Sequence, residues 1–289
     1  MRIASYQKDG QRHVGLIDVE GQSIAPLRLD AAQRAKGVLS IVEALAEGAG
    51  PPVADGAVLA LSSVVLEAPF PRPYRGLFCV GRNYRAHAEE LSGSVFKNNH
   101  ADVAAWPIVF TKAPECVVGP QADVGLPHGI SEQIDYEAEL AVVIGRGGKN
   151  IAKEDAMRHV FGYTVINDVT ARDVQMRHGQ WDLGKSFDTF CPMGPWVVTA
   201  DEFDGADAWL RCWVNGELRQ EAHTTDLIFD IPALIETCSR GITLYPGDII
   251  ATGTPAGVGH GLKPPRYLKA GDIVRIEIEG LGVIENRFF

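Results

Sequence analysis

The stretch Asp135-Tyr136-Glu137-Ala138-Glu139-Leu140-Ala141-Val142-Val143-Ile144-Gly145 decides how the rest of the chain is read. Its second half is a short apolar, β-branched run that ends at glycine, the pattern of a buried strand. Its first half carries an acid at every second position. Alternate side chains of a strand share a face, so Asp135, Glu137 and Glu139 are expected to point the same way. Three like charges in a row need either water or a cation between them. Two readings follow: a solvated strand end, the commoner fate of a charge run, or a metal site.

Working outward, Gly162-Tyr163-Thr164-Val165-Ile166-Asn167-Asp168 is a second strand that ends in an acid. Glu137, Glu139 and Asp168 then make a three-carboxylate set. All-oxygen ligation suits a hard cation, Mg²⁺, Mn²⁺ or Ca²⁺, rather than zinc. Spacing alone leaves the solvated reading open. Residues 170–177 read as a short helix on which Arg172 and Gln175, three apart, share a face, as a carboxylate clamp or as a solvated surface would. His87 and Glu90 stand in the same i,i+3 relation on a helical stretch, residues 82–91. A carboxylate beside an imidazole orients it and raises its basicity, the pattern of a general base, though a plain surface pair has the same spacing. Lys185, between Gly184 and Ser186-Phe187, is either a surface lysine or a group that stabilises an oxyanion.

Two glycine-rich pieces do not read as nucleotide sites. The helix after Gly145-Arg146-Gly147-Gly148 starts too late for a dinucleotide fingerprint. Gly253-Thr254-Pro255-Ala256-Gly257-Val258-Gly259-His260-Gly261 runs toward Pro264-Pro265 and not into a helix. The second is expected to form a rigid loop that brings backbone N–H groups and the Thr254 hydroxyl close to an anion. No Gly-x-Ser-x-Gly elbow is present, so a serine hydrolase has no support.

Residues 1–70 read as a small structural unit with a hairpin around Lys8-Asp9-Gly10, followed by the Pro-rich connector Ala68-Pro69-Phe70-Pro71-Arg72-Pro73. Residues 71–289 hold every chemically useful cluster. Helical spacing is seen over 38–45 and 153–159, and an irregular loop is expected over 92–105. Asn215-Gly216 marks a second hairpin. Many short strands, few helices and no regular βα alternation predict a β-rich α+β fold and exclude doubly wound and barrel architectures.

The 289 residues are ordinary in composition, 46% apolar and 22% charged. Net charge is −10, which argues against nucleic acid as a partner. A small anionic substrate is still compatible with a locally positive pocket. Five widely spaced cysteines without a Cys-x-x-Cys pair predict buried, reduced thiols. The opening residues lack an apolar signal core, and no apolar run approaches the ~20 residues of a membrane span. A cytoplasmic protein that contacts no membrane is the expectation.

Over about residues 70–287 the chain resembles the fumarylacetoacetate hydrolase family. The matching pieces are GRNYRAHAEEL, PIVFTKAPECVVGP, IDYEAELAVVIG, GYTVINDVTARDVQ, GKSFDTFCPMGPWVVT, LYPGDIIATGTPAGVG and AGDIVRIEIEGLG, in that order. The resemblance implies mixed, rolled β-sheets with short helices, a homodimer and a divalent metal, Mg²⁺ or Mn²⁺. It implies Glu137, Glu139 and Asp168 as metal ligands, His87 and Glu90 as a lid dyad that activates water, and Lys185 as a catalytic lysine. It also implies that Arg172, Gln175 and Thr254 hold the carboxylate end of a 2-oxo acid. Asp135 has no ligand role in that pattern and is expected to support its neighbours. The activity first implied is hydrolysis of the C–C bond of acylpyruvate-type 2,4-dioxo acids through a metal-stabilised pyruvate enolate. Decarboxylation of an oxaloacetate-like acid, or hydration or isomerisation of 2-oxo acids in catabolism, is the alternative. A non-catalytic metal or ligand binder is the third.

Overall fold

The computed structural model describes residues 1–92, 105–177 and 179–289. Most of the loop expected over 92–105 lies outside the described residues. The N-terminal segment contains β1 (Arg2–Lys8), β2 (Gln11–Asp18), β3 (Ser23–Pro26), α1 (Ala31–Lys36), α2 (Leu39–Ala46), β4 (Leu59–Ala60) and β5 (Val65–Glu67). Then come β6 (Leu77–Gly81), α3 (Arg85–Ser92), β7 (Ile108–Lys112), β8 (Val117–Val118), β9 (Ile134–Asp135), β10 (Ala138–Ile144), β11 (Val160–Asn167), β12 (Thr170–Ala171), α4 (Arg172–Arg177), α5 (Asp182–Lys185) and β13 (Cys191–Thr199). The last third holds β14 (Trp209–Val214), β15 (Glu217–His223), α6 (Ile231–Ser239), β16 (Ile249–Ala251), β17 (Ile273–Ile278) and β18 (Gly282–Arg287).

The architecture is β-rich α+β. A large sheet runs in the order β4-β3-β2-β1-β13-β11-β10-β16-β6-β7, and a four-stranded sheet runs β15-β14-β17-β18. The pairings on the main path are antiparallel except β16 with β6. The first 65 or so residues are not a detached appendage, because β1 pairs antiparallel with β13. The small sheet packs on β10, β11 and β13 of the large one.

β10 sits centrally, between β11 and β16, with every residue buried. That explains its continuous apolar run: both faces of the strand meet protein, so no polar alternation appears. Each such side chain contributes roughly 1.5–3 kcal/mol by leaving water. Both dipeptide turns form as expected. Asp9 and Gly10 (φ 51° and 74°) and Asn215 and Gly216 (φ 51° and 80°) take the left-handed pairs that close two-residue hairpins. All five cysteines are buried and unpaired. Among the described residues, no helix is long and apolar enough to cross a membrane.

Residues 153–159 are helical as the spacing predicts, wound as a 3-10 helix. Two local expectations are corrected. Thr170–Ala171 is a strand, and only Arg172–Arg177 is helical. The acidic stretch is not one continuous strand. β9 ends at Asp135, which pairs with Thr170 of β12, and β10 starts at Ala138. The break lets Asp135 serve a different set of partners from Glu137 and Glu139.

Candidate active site

The antiparallel register of β10 and β11 builds the acidic centre. Ala138 opposes Asn167, so Glu137 and Asp168 meet just beyond the end of the pair, where Asp168 N donates to Glu137 O at 2.8 Å. Glu139, two residues on, faces the same side. Ligand oxygens of Glu137, Glu139 and Asp168 all lie within 4.8 Å of one another, and all three residues are buried. Solvation of the strand end is therefore excluded as the explanation of these acids.

Cations reach two of the three. Lys185 Nζ donates to Glu137 Oε2 and to Asp168 Oδ2, each at 2.7 Å. Arg172 Nη2 stands 2.7 Å from Glu137 Oε1. Buried Lys112, on β7, is in ion-pair contact with Asp168 Oδ1 at 2.8 Å, and its Nζ also donates to the carbonyls of Val169 and Lys185. Burial opposes the Lys112 charge, but Asp168 holds its pKa above the ordinary lysine value. For Glu137, burial likewise opposes ionisation, yet Lys185, Arg172 and His87 bring its pKa down to about 2.

Glu139 is different. It accepts a backbone hydrogen bond from Gly253 N at 2.8 Å, and it has no ion pair with any described residue. Burial, then Asp168 and Glu137, raise its pKa well above the usual carboxylate value. A buried carboxylate beside two others, with no ion pair to a described residue, is a position suited to a bound cation. The residues thus fit a hard divalent ion held by three carboxylates. A pH dependence follows. The folded pKa of Glu139 exceeds the ordinary 4.5, so in the metal-free protein its contribution to stability is present below about 4.5 and is lost as pH rises through the folded value. Metal binding needs the ionised form, so it releases a proton and strengthens with rising pH. Calorimetric titration with Mg²⁺ or Mn²⁺ in two buffers of different ionisation enthalpy is expected to show that release. Equal heats in both would count against it.

Around the acids lies a pocket lined by His87, Arg172, Gln175, Lys185 and Thr254 as well as Glu137 and Glu139. Seven of the nine residues singled out in the sequence therefore share one wall system. Of the other two, Glu90 sits behind His87, accepting contact from its Nδ1 at 3.1 Å, and Asp168 sits behind Lys185. Helix α3 is held over the acids by buried Asn83. Its Nδ2 donates to Thr252 O and Phe229 O, and its Oδ1 accepts from Phe229 N.

The glycine-rich loop after β16 does bind anions, but they are the protein's own carboxylates. Gly253 N serves Glu139, Gly257 N serves Glu90 Oε1 at 3.0 Å, and Gly259 N and His260 N serve the two oxygens of Asp135 at 2.7 and 2.9 Å. Gly261 lies so close that a Cβ there would stand 2.2 Å from Glu90 Cδ and push that side chain aside. Asp135 also accepts from Arg172 Nε at 2.9 Å, so it ties the clamp residue to the loop that holds the dyad's Glu90. Thr254 Oγ1 accepts from Gln220 Nε2 at 2.8 Å. Lys112, Asn83 and Gln220 were not found by residue type and spacing. Lys112 alone left a trace, as a lysine closing the apolar run Ile108-Val109-Phe110-Thr111.

The chain is similar to proteins already known. Residues 76–289 match the family profile described as fumarylacetoacetate hydrolase, C-terminal. Oxaloacetate tautomerase YisK of Bacillus subtilis is 50% identical over 228 residues, 78% of this chain and 74% of that protein. The mitochondrial oxaloacetate tautomerase fahd2 of Xenopus laevis is 48% identical over 232 residues, 79% and 70% of the two chains. Among solved structures, a fumarylacetoacetate hydrolase from Exiguobacterium antarcticum superposes with a TM-score of 0.85 at 38% identity, covering 100% of this chain and 99% of that one. The protein is a β-rich α+β enzyme with an acidic centre able to hold a divalent metal. The chain belongs to the fumarylacetoacetate hydrolase family.

Proposed function

We propose that the protein is a divalent-metal-dependent enzyme that enolises small 2-oxo acids, with keto–enol interconversion of oxaloacetate as its reaction and Mg²⁺ or Mn²⁺ as its ion. The observation that carries this reading is that one pocket is lined by His87, by Glu137 and Glu139 of the acidic centre, and by Arg172, Gln175 and Thr254. Relatives 48–50% identical bear the name oxaloacetate tautomerase, which supports it further. A metal on Glu137, Glu139 and Asp168 would supply Lewis acidity, lowering the cost of enolate charge.

The chain's own groups do the rest. Arg172, Gln175 and Thr254 grip the C1 carboxylate and so orient C3. His87, with Nδ1 engaged by Glu90, presents Nε2 to take the C3 proton and return a proton to the C2 oxygen. Lys185 donates to both Glu137 and Asp168 and holds the two carboxylates in place. Hydrolysis of acylpyruvates is the second reading, favoured by the His87–Glu90 pair, which suits activation of a water for attack at C4. A homodimer is part of the proposal, checked by sedimentation.

The test follows the ultraviolet absorbance of enol-oxaloacetate as it relaxes to the keto form. Acceleration that needs the divalent ion and falls by ~10²–10⁴-fold in His87→Asn is expected. Cleavage of acylpyruvates without any acceleration of enol decay would replace this reading with the hydrolase. Loss of CO₂ at the same rate as enol decay would replace it with the decarboxylase.

A further inference from the structure

Arg82 has no part in the chemistry above, yet it lines the same pocket. It follows β6 directly, and its backbone sits in the left-handed region at φ 55°, a conformation that a long side chain rarely adopts. Such a conformation persists where the surroundings impose it, and functional pockets are a common place for it. Gly81 before it is pinned against an aromatic wall, because a Cβ there would lie 2.3 Å from the Trp181 ring. Trp181 in turn meets Phe110 edge-on at 5.2 Å.

The other cations of the centre are committed to acids: Arg172 to Asp135 and Glu137, Lys185 to Glu137 and Asp168, Lys112 to Asp168. Arg82 has no acidic partner among the described residues. Its Nε is shielded from solvent without an acceptor. Its Nη2 makes one long contact, 3.3 Å, to the carbonyl of Ala88. Burial lowers its pKa, with no carboxylate to offset the loss of hydration. A shielded guanidinium edge without an acceptor is costly unless a ligand completes it.

The contact with Ala88 also gives direction. Ala88 follows His87, so the Arg82 guanidinium lies on the dyad side of the pocket, where the proposed base meets C3. The carbon one bond beyond C3 is C4. We propose that Arg82 binds a second carboxylate at C4, making four-carbon 2-oxo dicarboxylates the preferred substrate class over 2-oxo monocarboxylates of the same length. This rests on the functional reading above, and the test separates the two.

The probes are oxaloacetate, its monocarboxylate counterpart 2-oxobutyrate as a competitor, and oxalate, which engages only the metal and C1 end. With Mg²⁺-loaded protein, Arg82→Gln is expected to raise KM for oxaloacetate by ~10–100-fold, the weight of a charge-assisted contact. The kcat, the Ki of 2-oxobutyrate and the calorimetric Kd of oxalate are expected to stay as in the wild type. Arg82→Lys keeps the charge and loses the fork, so its KM is expected to fall between the two. It also stands in if the glutamine variant does not fold: a lower preference for oxaloacetate over 2-oxobutyrate supports the assignment, and an unchanged preference overturns it. Equal losses for all three probes, or none, would overturn it too. A wild type that neither binds oxalate nor acts on oxaloacetate would instead sink the functional reading itself.

Discussion

Glu139→Gln is expected to do two opposite things. In metal-free protein it raises stability at neutral pH, because it replaces a buried carboxylate that burial, Asp168 and Glu137 all resist ionising. With metal it removes the response. A ligand present at 100 times its Kd stabilises the folded state by about 2.7 kcal/mol. Outer partners of metal ligands cost about 10–100-fold in affinity when lost, and a ligand itself costs at least the upper figure. At the same ion concentration the variant would then gain only about 0.4 kcal/mol. Thermal melts of both proteins in Mg²⁺ and in chelator measure all four states. A variant that melts lower than wild type in chelator, or that keeps the full metal response, would contradict the cation assignment. Turnover is expected to vanish along with the metal response.

The second large effect is expected at Asp135. Its carboxylate is fully buried and accepts from Arg172 Nε and from the backbone N–H groups of Tyr136, Gly259 and His260. Asp135→Ala takes from a buried guanidinium one of its two carboxylate partners and leaves it only Glu137, a loss of up to about 3–5 kcal/mol for a broken buried pair. Three N–H groups lose their acceptor in the same step. Asp135→Asn keeps an acceptor oxygen and loses the charge, so its cost is expected to be smaller. Because Arg172 would lose its orientation, KM for the 2-oxo acid is expected to rise in the asparagine variant more than kcat falls. Denaturant midpoints and steady-state kinetics together decide this. A midpoint loss of less than about 1 kcal/mol for the alanine variant would show that the Arg172–Asp135 pair is not a structural tie.

Alternation of Asp135, Glu137 and Glu139 placed all three on one strand face, yet the chain leaves strand geometry between β9 and β10. Nothing in the local pattern distinguishes a continuous strand from two short ones paired to different partners. The resemblance gives Asp135 no ligand role, and its carboxylate is taken up by hydrogen bonds from Arg172 and from the loop after β16.

The chain itself determined the secondary elements with strong local signals. The apolar run over residues 140–144 of β10 suits a strand covered on both faces, and Asp9-Gly10 and Asn215-Gly216 carry the residues that tolerate left-handed turns. Motif order was enough to bring out the three carboxylates, the His87–Glu90 pair, Arg172, Gln175, Lys185 and Thr254. What only the tertiary structure decided was how charge is balanced among them. Lys112, from a strand at the far end of the sheet, reaches Asp168. The loop after β16 gives its N–H groups to Glu139, Glu90 and Asp135. Among the described residues, Arg82 alone of the pocket's lysines and arginines has no acid. These are contacts between residues up to 167 positions apart, as for Gly257 and Glu90. Their strength depends on burial and on distances of a few ångströms, quantities that spacing along a chain does not contain.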